Sequence, residues 1–202
     1  ILKTDLSGNF NWASYFGDSQ RQNSATDVYF INNDELIAIG YGNNSGNDLE
    51  APIDGYIMSL NASDGSINTA RILNGTGDAD DKPLEISRYG NDRLLVAGTT
   101  GSYPDFNSGS SNSKPVLYRL NVDLTLINAW IFSGGDSHAS GVEEIPLTGA
   151  IYHGYTATYS DSPTDWQPLL IRLELNLSSD CFQNDVLPET TFEESVWTAE
   201  ST

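Results

Sequence analysis

Cysteine, methionine, histidine and positive charge are scarce in this chain. Its 202 residues include one Cys, one Met and two His, and 9 Lys and Arg stand against 28 Asp and Glu, giving a net charge of −19. Cys181 has no second cysteine with which to form an internal disulfide. So large an excess of carboxylates repels phosphate backbones and anionic lipids, so nucleic acid and acidic membranes are poor partners.

Long hydrophobic runs and familiar catalytic motifs are also missing from the sequence. No apolar stretch reaches the roughly 18 residues that a membrane-spanning helix needs. The sequence contains no G-x-S-x-G motif, P-loop or G-x-G-x-x-G motif. His138 and His153 share no metal-ligand spacing with Cys181 or a Glu, so the pattern does not indicate zinc. A paired-carboxylate glycosidase stays open as an alternative because carboxylates are plentiful.

What the sequence does contain is an alternation of apolar and polar residues with a period of two. Gly and Pro interrupt nearly every window long enough for a helix, whereas several short windows alternate cleanly. In one of them, apolar residues at Leu169, Ile171 and Leu173 alternate with polar residues such as Arg172 and Glu174. Successive side chains of a strand face opposite sides, so the pattern predicts β-strands.

A repeat of about 57 residues lies above this alternation. Its most regular unit is an apolar strand that ends in glycine, at Gly40, Gly98 and Gly154. Three further strand units recur around it, so each repeat has about four short strands. The chain holds the last two strands of one set, two full sets, and the first three of another, which makes thirteen strands.

These repeats predict an all-β fold in which four-stranded antiparallel blades stack around an axis as in a β-propeller, because one such sheet cannot bury both of its faces alone. Residues 1–180 would form three to four blades, and residues 181–202 an acidic linker or the start of a following domain. Since Ile1 already begins a strand pattern, we expect the chain to be part of a longer protein. Trp12 and Trp130, at equivalent outer-strand positions, are predicted to pack between blades. A β-sandwich is the alternative.

Two segments resemble the repeats of bacterial seven-bladed β-propeller proteins. The first runs from Ile1 through Lys3, Asp5, Gly8 and Trp12 and is followed by Phe16-Gly17-Asp18. The second is the segment 96–106 with its V-A-G-T-T-G-S-Y-P-D-F sequence. The third copy departs from the pattern, because Val122-Asp123-Leu124-Thr125 replaces the D-x-x-G turn. The resemblance implies a large secreted or cell-surface protein, often exported by the type IX route, with a structural or binding role and no assigned catalytic residues.

The two ends of the predicted blades differ in their connections. Tight-turn residues join the strands at one end, whereas long polar segments join them at the other. Long loops on a rigid scaffold are where binding residues usually lie. The candidate ligand-binding residues at this end are Asp18, Tyr103, Asp136 and Trp166.

Asp78, Asp80 and Asp81 form the densest group of carboxylates at that end, and we consider them as candidate calcium ligands. The alternative is that such aspartates shape their own turns by accepting backbone hydrogen bonds. We therefore expect a non-enzymatic extracellular or cell-surface scaffold for adhesion or for protein or glycan binding. A propeller enzyme acting on polysaccharide and a lectin that stacks sugars on Trp166 and Tyr103 are the alternatives. The acidity itself fits either solubility or a cationic partner.

Overall fold

The computed structural model describes residues 1–16, 23–43, 53–73, 79–101, 114–132, 137–146, 149–157, 166–174, 183–186 and 199–201, the backbone alone being described at 137–139, 155–157, 166–169, 183–186 and 199–201. All regular elements in these ranges are β-strands. They are β1 (Leu2–Thr4), β2 (Phe10–Phe16), β3 (Asn23–Phe30), β4 (Glu35–Asn43), β5 (Ile53–Asn61), β6 (Ile67–Leu73), β7 (Asp81–Tyr89), β8 (Arg93–Thr100), β9 (Lys114–Asn121), β10 (Leu126–Phe132), β11 (Ser137–Ile145), β12 (Gly149–Ala157), β13 (Trp166–Leu173), β14 (Gln183–Val186) and β15 (Ala199–Ser201).

The strands form four antiparallel sheets that follow one another along the chain. The first sheet has the order β1-β2-β15, the second β3-β4-β5-β6, the third β14-β10-β9-β8-β7 and the fourth β11-β12-β13. Strands β1 to β13 are the thirteen strands that the repeat predicts, and they are grouped as predicted. The prediction of an all-β fold built from four-stranded antiparallel sheets is therefore confirmed, and the described residues show no closed ring.

Two short strands lie in residues 181–202, the segment predicted as a linker or the start of a following domain. β14 pairs with β10 at the outer edge of the third sheet, and β15 pairs with β2 at the outer edge of the first. The sequence repeat does not predict these two strands, because neither belongs to it. The domain boundary at residue 180 stays a prediction.

Neighbouring residues on the central strands face opposite neighbouring sheets. In β4, Leu36 and Ala38 belong to a buried cluster with Trp12 of the first sheet, whereas Ile37 and Ile39 belong to a cluster with the third sheet. The same alternation recurs in β8. There Leu94 and Val96 pack toward the second sheet, whereas Leu95 and Ala97 pack toward the fourth. The second and third sheets are thus covered on both faces.

This stacking supplies the burial that a single sheet lacks. Leu36, Ile37, Leu94 and Leu95 are almost wholly buried. Complete burial of one such side chain stabilises a fold by roughly 1.5–3 kcal/mol. Since adjacent residues of one strand depend on different neighbouring sheets, each of the two central sheets needs both neighbours to bury its side chains.

The recurring glycine is explained by a β-bulge on the first strand of each repeat. The register shifts after Ala25 in β3, after Pro83 in β7 and after Ala139 in β11, and these residues pair with Gly40, Gly98 and Gly154. A Cβ on Gly98 would lie 2.5 Å from the carbonyl oxygen of Lys82 and 2.9 Å from the Cα of Pro83. Glycine recurs because the bulge brings backbone against backbone.

The turn in which the third copy departs from the D-x-x-G pattern keeps the same geometry. The N–H of Gly8 donates to the carbonyl of Asp5 over 3.0 Å, and the N–H of Leu124 donates to the carbonyl of Asn121 over the same distance. Gly8 has a φ of 82° and Leu124 has a φ of 67°. Leu124 therefore adopts the left-handed conformation that glycine adopts more readily, while its side chain is buried in the core.

The prediction that both tryptophans pack between sheets is confirmed. Trp12 lies between the first and second sheets and donates its Nε1–H to the carbonyl of Ala62, whereas Trp130 lies in the cluster between the third and fourth. Their predicted equivalence is wrong. Trp12 of β2 pairs with Lys3 of β1, and the residue at the matching position of β10 is Asn128. Trp130 therefore lies two residues further along its strand than Trp12 does.

Candidate functional site

The two ends of the sheets differ as the sequence predicts. Turns of three to five residues join paired strands at one end, whereas the connections at the other end comprise residues 17–22, 44–52, 74–80, 101–113, 133–136 and 158–165. These six connections contain nine acidic residues and a single basic residue, Arg21. We call this end the long-connection end; the antiparallel order of the strands brings all six connections to it.

Most of the predicted ligand-binding residues fall outside the described residues. Asp18, Asp78, Tyr103 and Asp136 belong to this group. The backbone of Trp166 begins β13 and pairs with Ala157, but its side chain is outside the description. Their roles therefore stay predictions, and the structure places only Asp80 and Asp81 of the proposed site in full.

Asp80 ties the second sheet to the third at the root of the long connections. Its Oδ1 accepts the backbone N–H of Ile53 over 3.1 Å, and its Oδ2 lies 2.7 Å from the Nζ of Lys82. Its backbone carbonyl accepts the N–H of Gly101 over 2.8 Å. Both carboxylate oxygens thus have protein partners. The ion pair with Lys82 is partly exposed and contributes little to stability by itself.

Asp81 lies in a buried polar row that crosses the third sheet. It pairs with Thr100, which pairs in turn with Lys114, and all three residues are buried. The pairing therefore places an acidic, a hydroxyl and a basic residue in one buried row across three strands. Thr100 and Lys114 are the strand residues at the two ends of the connection 101–113.

The geometry of the calcium ligands is described only in part. Within the described ranges, no group of three His, Cys, Asp or Glu side chains is arranged to hold a metal ion. Ca²⁺ takes six to eight oxygen ligands, and Asp80 already has two protein donors. Because Asp78 lies outside the described residues, the calcium hypothesis stays a prediction.

A second polar set lies where the first strands of successive repeats meet, beside the bulges. Asp27 of β3 accepts the N–H of Ile86 over 3.0 Å with its Oδ2. Thr26 donates its hydroxyl to the carbonyl of Pro83 over 2.9 Å. Both contacts join the second sheet to the third, so the residues at and after the bulge act as connectors between sheets.

Between the third and fourth sheets the connecting contact has a different chemistry. Glu85, the residue after the second bulge, has its Oε2 3.8 Å from the Nε2 of His153 in β12. The Nδ1 of His153 lies 2.8 Å from the hydroxyl of Ser140. Burial raises the pKa of Glu85; His153 opposes that rise, and the charges of Asp27 and Glu143 add to it. No local sequence pattern links His153 to Glu85, since the two residues meet only when successive sheets stack.

No protein-family model matches the chain, and no curated protein matches it either. In the part of the chain that the structure describes, there is no helix of the length and apolar character needed to cross a membrane.

Proposed function

We propose that the chain is part of a non-enzymatic, secreted or cell-surface β-propeller scaffold. Its long-connection end would bind a protein or glycan ligand through several connections at once. The observation that carries the proposal is the contrast between the two ends of a stack whose central sheets are buried on both faces.

The stack supports binding because it holds the roots of the connections in place. Asp80 joins the second and third sheets at the strand ends from which connections leave, and the buried row of Asp81, Thr100 and Lys114 includes both strand residues that flank the longest connection. A rigid base lowers the entropy that several connections lose when they contact one ligand. Nine acidic residues against one Arg at this end favour a ligand with positive charge or with many hydroxyl groups.

The resemblance to bacterial seven-bladed propeller repeats supports the extracellular location and a role in adhesion. It rests on residues 1–12 and 96–106. The structure is compatible with it because residues 1–12 span β1, its turn and the start of β2, and residues 96–100 lie in β8. Export by the type IX route and membership of a larger chain are parts of the same proposal.

Two screens test the binding proposal. The purified chain is applied to a glycan array and to a panel of basic extracellular proteins, and a ligand found there is titrated against two matched triple variants. At the long-connection end the changes are Asp48→Asn, Asp105→Asn and Asp161→Asn; at the opposite end they are Asp34→Asn, Asp64→Asn and Asp92→Asn.

We expect the first triple variant to lose at least about tenfold in affinity, which is about 1.4 kcal/mol. The second should change affinity less than about twofold, and both should remain folded at the temperature of the titration. Absence of ligands on both arrays, or equal losses in the two variants, would refute the proposal. Sugar release from an array glycan would favour the polysaccharide enzyme instead, and binding to neutral glycans alone would favour the lectin.

Calcium is tested separately by thermal melting. If Asp78, Asp80 and Asp81 bind the ion, adding about 1 mM Ca²⁺ after EDTA treatment raises the melting midpoint, because a ligand of the folded state stabilises it. The Asp78→Asn variant should lose that rise. An unchanged midpoint in the parent chain removes the calcium hypothesis and leaves the binding proposal intact.

A further inference from the structure

We infer that two copies of this chain bind head to tail through the two terminal faces of the stack. The first outer face is the side of β1 and β2 that points away from the second sheet, and it carries Leu2, Phe10 and Tyr15. The fourth outer face is the side of β12 and β13 that points away from the third sheet, and it carries Ile151 and Leu170. The occupant of each face is the opposite face of the other copy.

The orientation of the first outer face follows from the alternation of side chains along β2. Trp12 and Phe16 are buried against the second sheet, so Tyr15, which precedes Phe16, points the other way. Leu2 pairs with the residue that follows Trp12 and therefore lies on the same side as Tyr15. The register shift between Phe10 and Trp12 brings Phe10 to this side as well. Leu2 and Phe10 are 64% and 63% exposed, and Tyr15 is 47% exposed.

The same positions are buried where the third sheet stacks on the second. Leu2 and Tyr118 each pair with an alanine of the following strand at the same distance from the turn, and Phe10 and Leu126 each begin that following strand. Tyr118 is 1% exposed, and Leu126 packs against the same cluster between the second and third sheets. The residues exposed on the first outer face are therefore those with which a sheet of this repeat packs against the sheet before it.

The fourth outer face carries the other half of such a junction. Leu170 pairs with the residue just before the recurring glycine, as Ile57 and Leu117 do in the second and third sheets. Ile57 and Leu117 are wholly buried against the next sheet along the chain, whereas Leu170 is 72% exposed. The position of Leu170 is thus one that the repeat uses to receive the following sheet.

Ile151 occupies a second receiving position. It lies three residues before the recurring glycine, where Ile37 and Leu95 are wholly buried against the next sheet. Ile151 itself is only partly buried. Both receiving positions of the fourth sheet therefore hold apolar side chains that no following sheet covers in the part of the chain that the structure describes.

Charged residues on the fourth outer face are compatible with stacking. Arg172 pairs with Ile151 as Arg119 pairs with Leu95 in the third sheet. Arg119 lies beside a covered face with its guanidinium 5.7 Å from the centre of a tyrosine ring. On the other side of Ile151, Glu143 supplies the opposite charge to Arg172 in the same row. The row therefore carries no net charge into the contact.

A second copy satisfies both faces at once. Each junction inside the chain packs the receiving side of one sheet against the opposite side of the next, and the two outer faces are these two sides left uncovered. A head-to-tail contact closes into a ring when the rotation between units allows it. Two copies of four sheets give eight, which lies within the range of about four to eight blades found in closed propellers. The assembly we propose is therefore a dimer with two identical junctions.

The net charge of −19 opposes this association. Because the proposed contact is apolar and the repulsion acts between whole copies, salt screens the repulsion and leaves the contact intact. The dimer should therefore form more readily as the salt concentration rises.

The test is analytical ultracentrifugation of the purified chain over a range of concentrations. Leu2→Glu blocks the first outer face and Leu170→Glu blocks the fourth, and both side chains are exposed in a single copy, so neither change disturbs the core. Leu6→Glu is the matched control, because it makes the same change at a fully exposed leucine in the turn between β1 and β2. A mixture of Leu2→Glu with Leu170→Glu tests the head-to-tail geometry, since the first variant keeps an intact fourth outer face and the second keeps an intact first outer face.

We expect the parent to dimerise with a dissociation constant below about 100 μM in about 0.5 M salt. Leu2→Glu and Leu170→Glu should each weaken dimerisation at least about tenfold, and Leu6→Glu less than about twofold. The mixture of the two blocked variants should form mixed dimers at concentrations where each alone is monomeric. A parent that stays monomeric throughout would overturn the proposal and favour further sheets of a longer chain as the occupant of both faces. Loss of dimers in only one of the two variants, or a mixture that associates no better than its components, would overturn it as well, because head-to-tail binding needs both faces.

Discussion

Replacement of Gly98 by alanine should destabilise the protein, although the same change stabilises an ordinary strand. Glycine in a strand interior is normally less stable than alanine by roughly 0.5–1 kcal/mol. At Gly98 the added Cβ would lie 2.5 Å from the carbonyl oxygen of Lys82, against the 3.4 Å at which ordinary contact begins. The bulged backbone of β7 must therefore move by about 0.9 Å or the strands must separate.

The cost of such overpacking is typically about 1–3 kcal/mol. For a chain of this length a loss of 1 kcal/mol lowers the melting midpoint by about 2–4 °C, so we expect a fall of about 2–12 °C in Gly98→Ala. Gly40→Ala should behave alike, because its Cβ would lie 2.1 Å from the carbonyl oxygen of Ser24. The assay is thermal and urea unfolding followed by circular dichroism.

Gly90→Ala serves as the control for the effect of backbone strain alone. Gly90 has a φ of 65°, and nothing lies within 4 Å of an added Cβ. Its cost should be about 1–2 kcal/mol and independent of any neighbouring strand. A Gly98→Ala protein as stable as the parent, or more stable, would refute the claim that the repeated glycine is required by the bulge.

Three further predictions concern the turns and the core. In urea unfolding, Leu124→Gly should be more stable than Leu124→Ala by about 1 kcal/mol, although glycine is the smaller residue. The reason is that glycine adopts the left-handed φ of 67° without the strain that alanine retains. The reverse order would show that the turn is not strained. Hydrogen bonds from Asn9, Ser66 and Thr125 lower the pKa of Asp5, Asp64 and Asp123, respectively. Each carboxylate therefore stabilises the folded state at a pH above its unfolded pKa near 3.9, and this contribution is lost as the pH falls through the lower pKa of the folded state. The melting midpoint of a triple Asp→Asn variant should therefore fall less than that of the parent between pH 6 and pH 2.5, and an equal fall would contradict this. Tyr152→Phe should leave stability unchanged or raise it by up to about 1 kcal/mol, because the buried hydroxyl has no hydrogen-bond partner among the described residues; a loss of more than about 1 kcal/mol would mean that the hydroxyl is bonded.

The sequence predicts the strands well because their positions follow from local patterns. Alternation and the spacing of Gly40, Gly98 and Gly154 mark each repeat, and the structure has strands β1 to β13 where those patterns place them. Residue type alone suggests that Trp12 and Trp130 are equivalent, and only the cross-strand pairing shows that Trp130 lies two residues further along its strand. The pairing of β14 and β15 with outer edges is non-local and follows no repeat.

The polar contacts between sheets show the same limit more clearly. Asp80 could be placed at the long-connection end from sequence, but its bonds to Ile53 and Lys82 depend on the spacing of two sheets. The contact of Glu85 with His153 depends on Gly141, because a Cβ there would collide with the Glu85 carboxylate, and this is visible only once the third sheet lies against the fourth. Local patterns therefore predict the sheets, whereas the chemistry at their junctions requires the three-dimensional stack.

The most direct test of the account is a methyl NMR measurement of the contacts made by two adjacent residues, Ala38 and Ile39. If consecutive sheets stack in series, the methyl of Ala38 shows nuclear Overhauser contacts to the cluster around Trp12, and the methyls of Ile39 show contacts to the cluster around Val96. Contacts from both residues to the same sheet, or from either residue to solvent alone, would contradict the stacked arrangement.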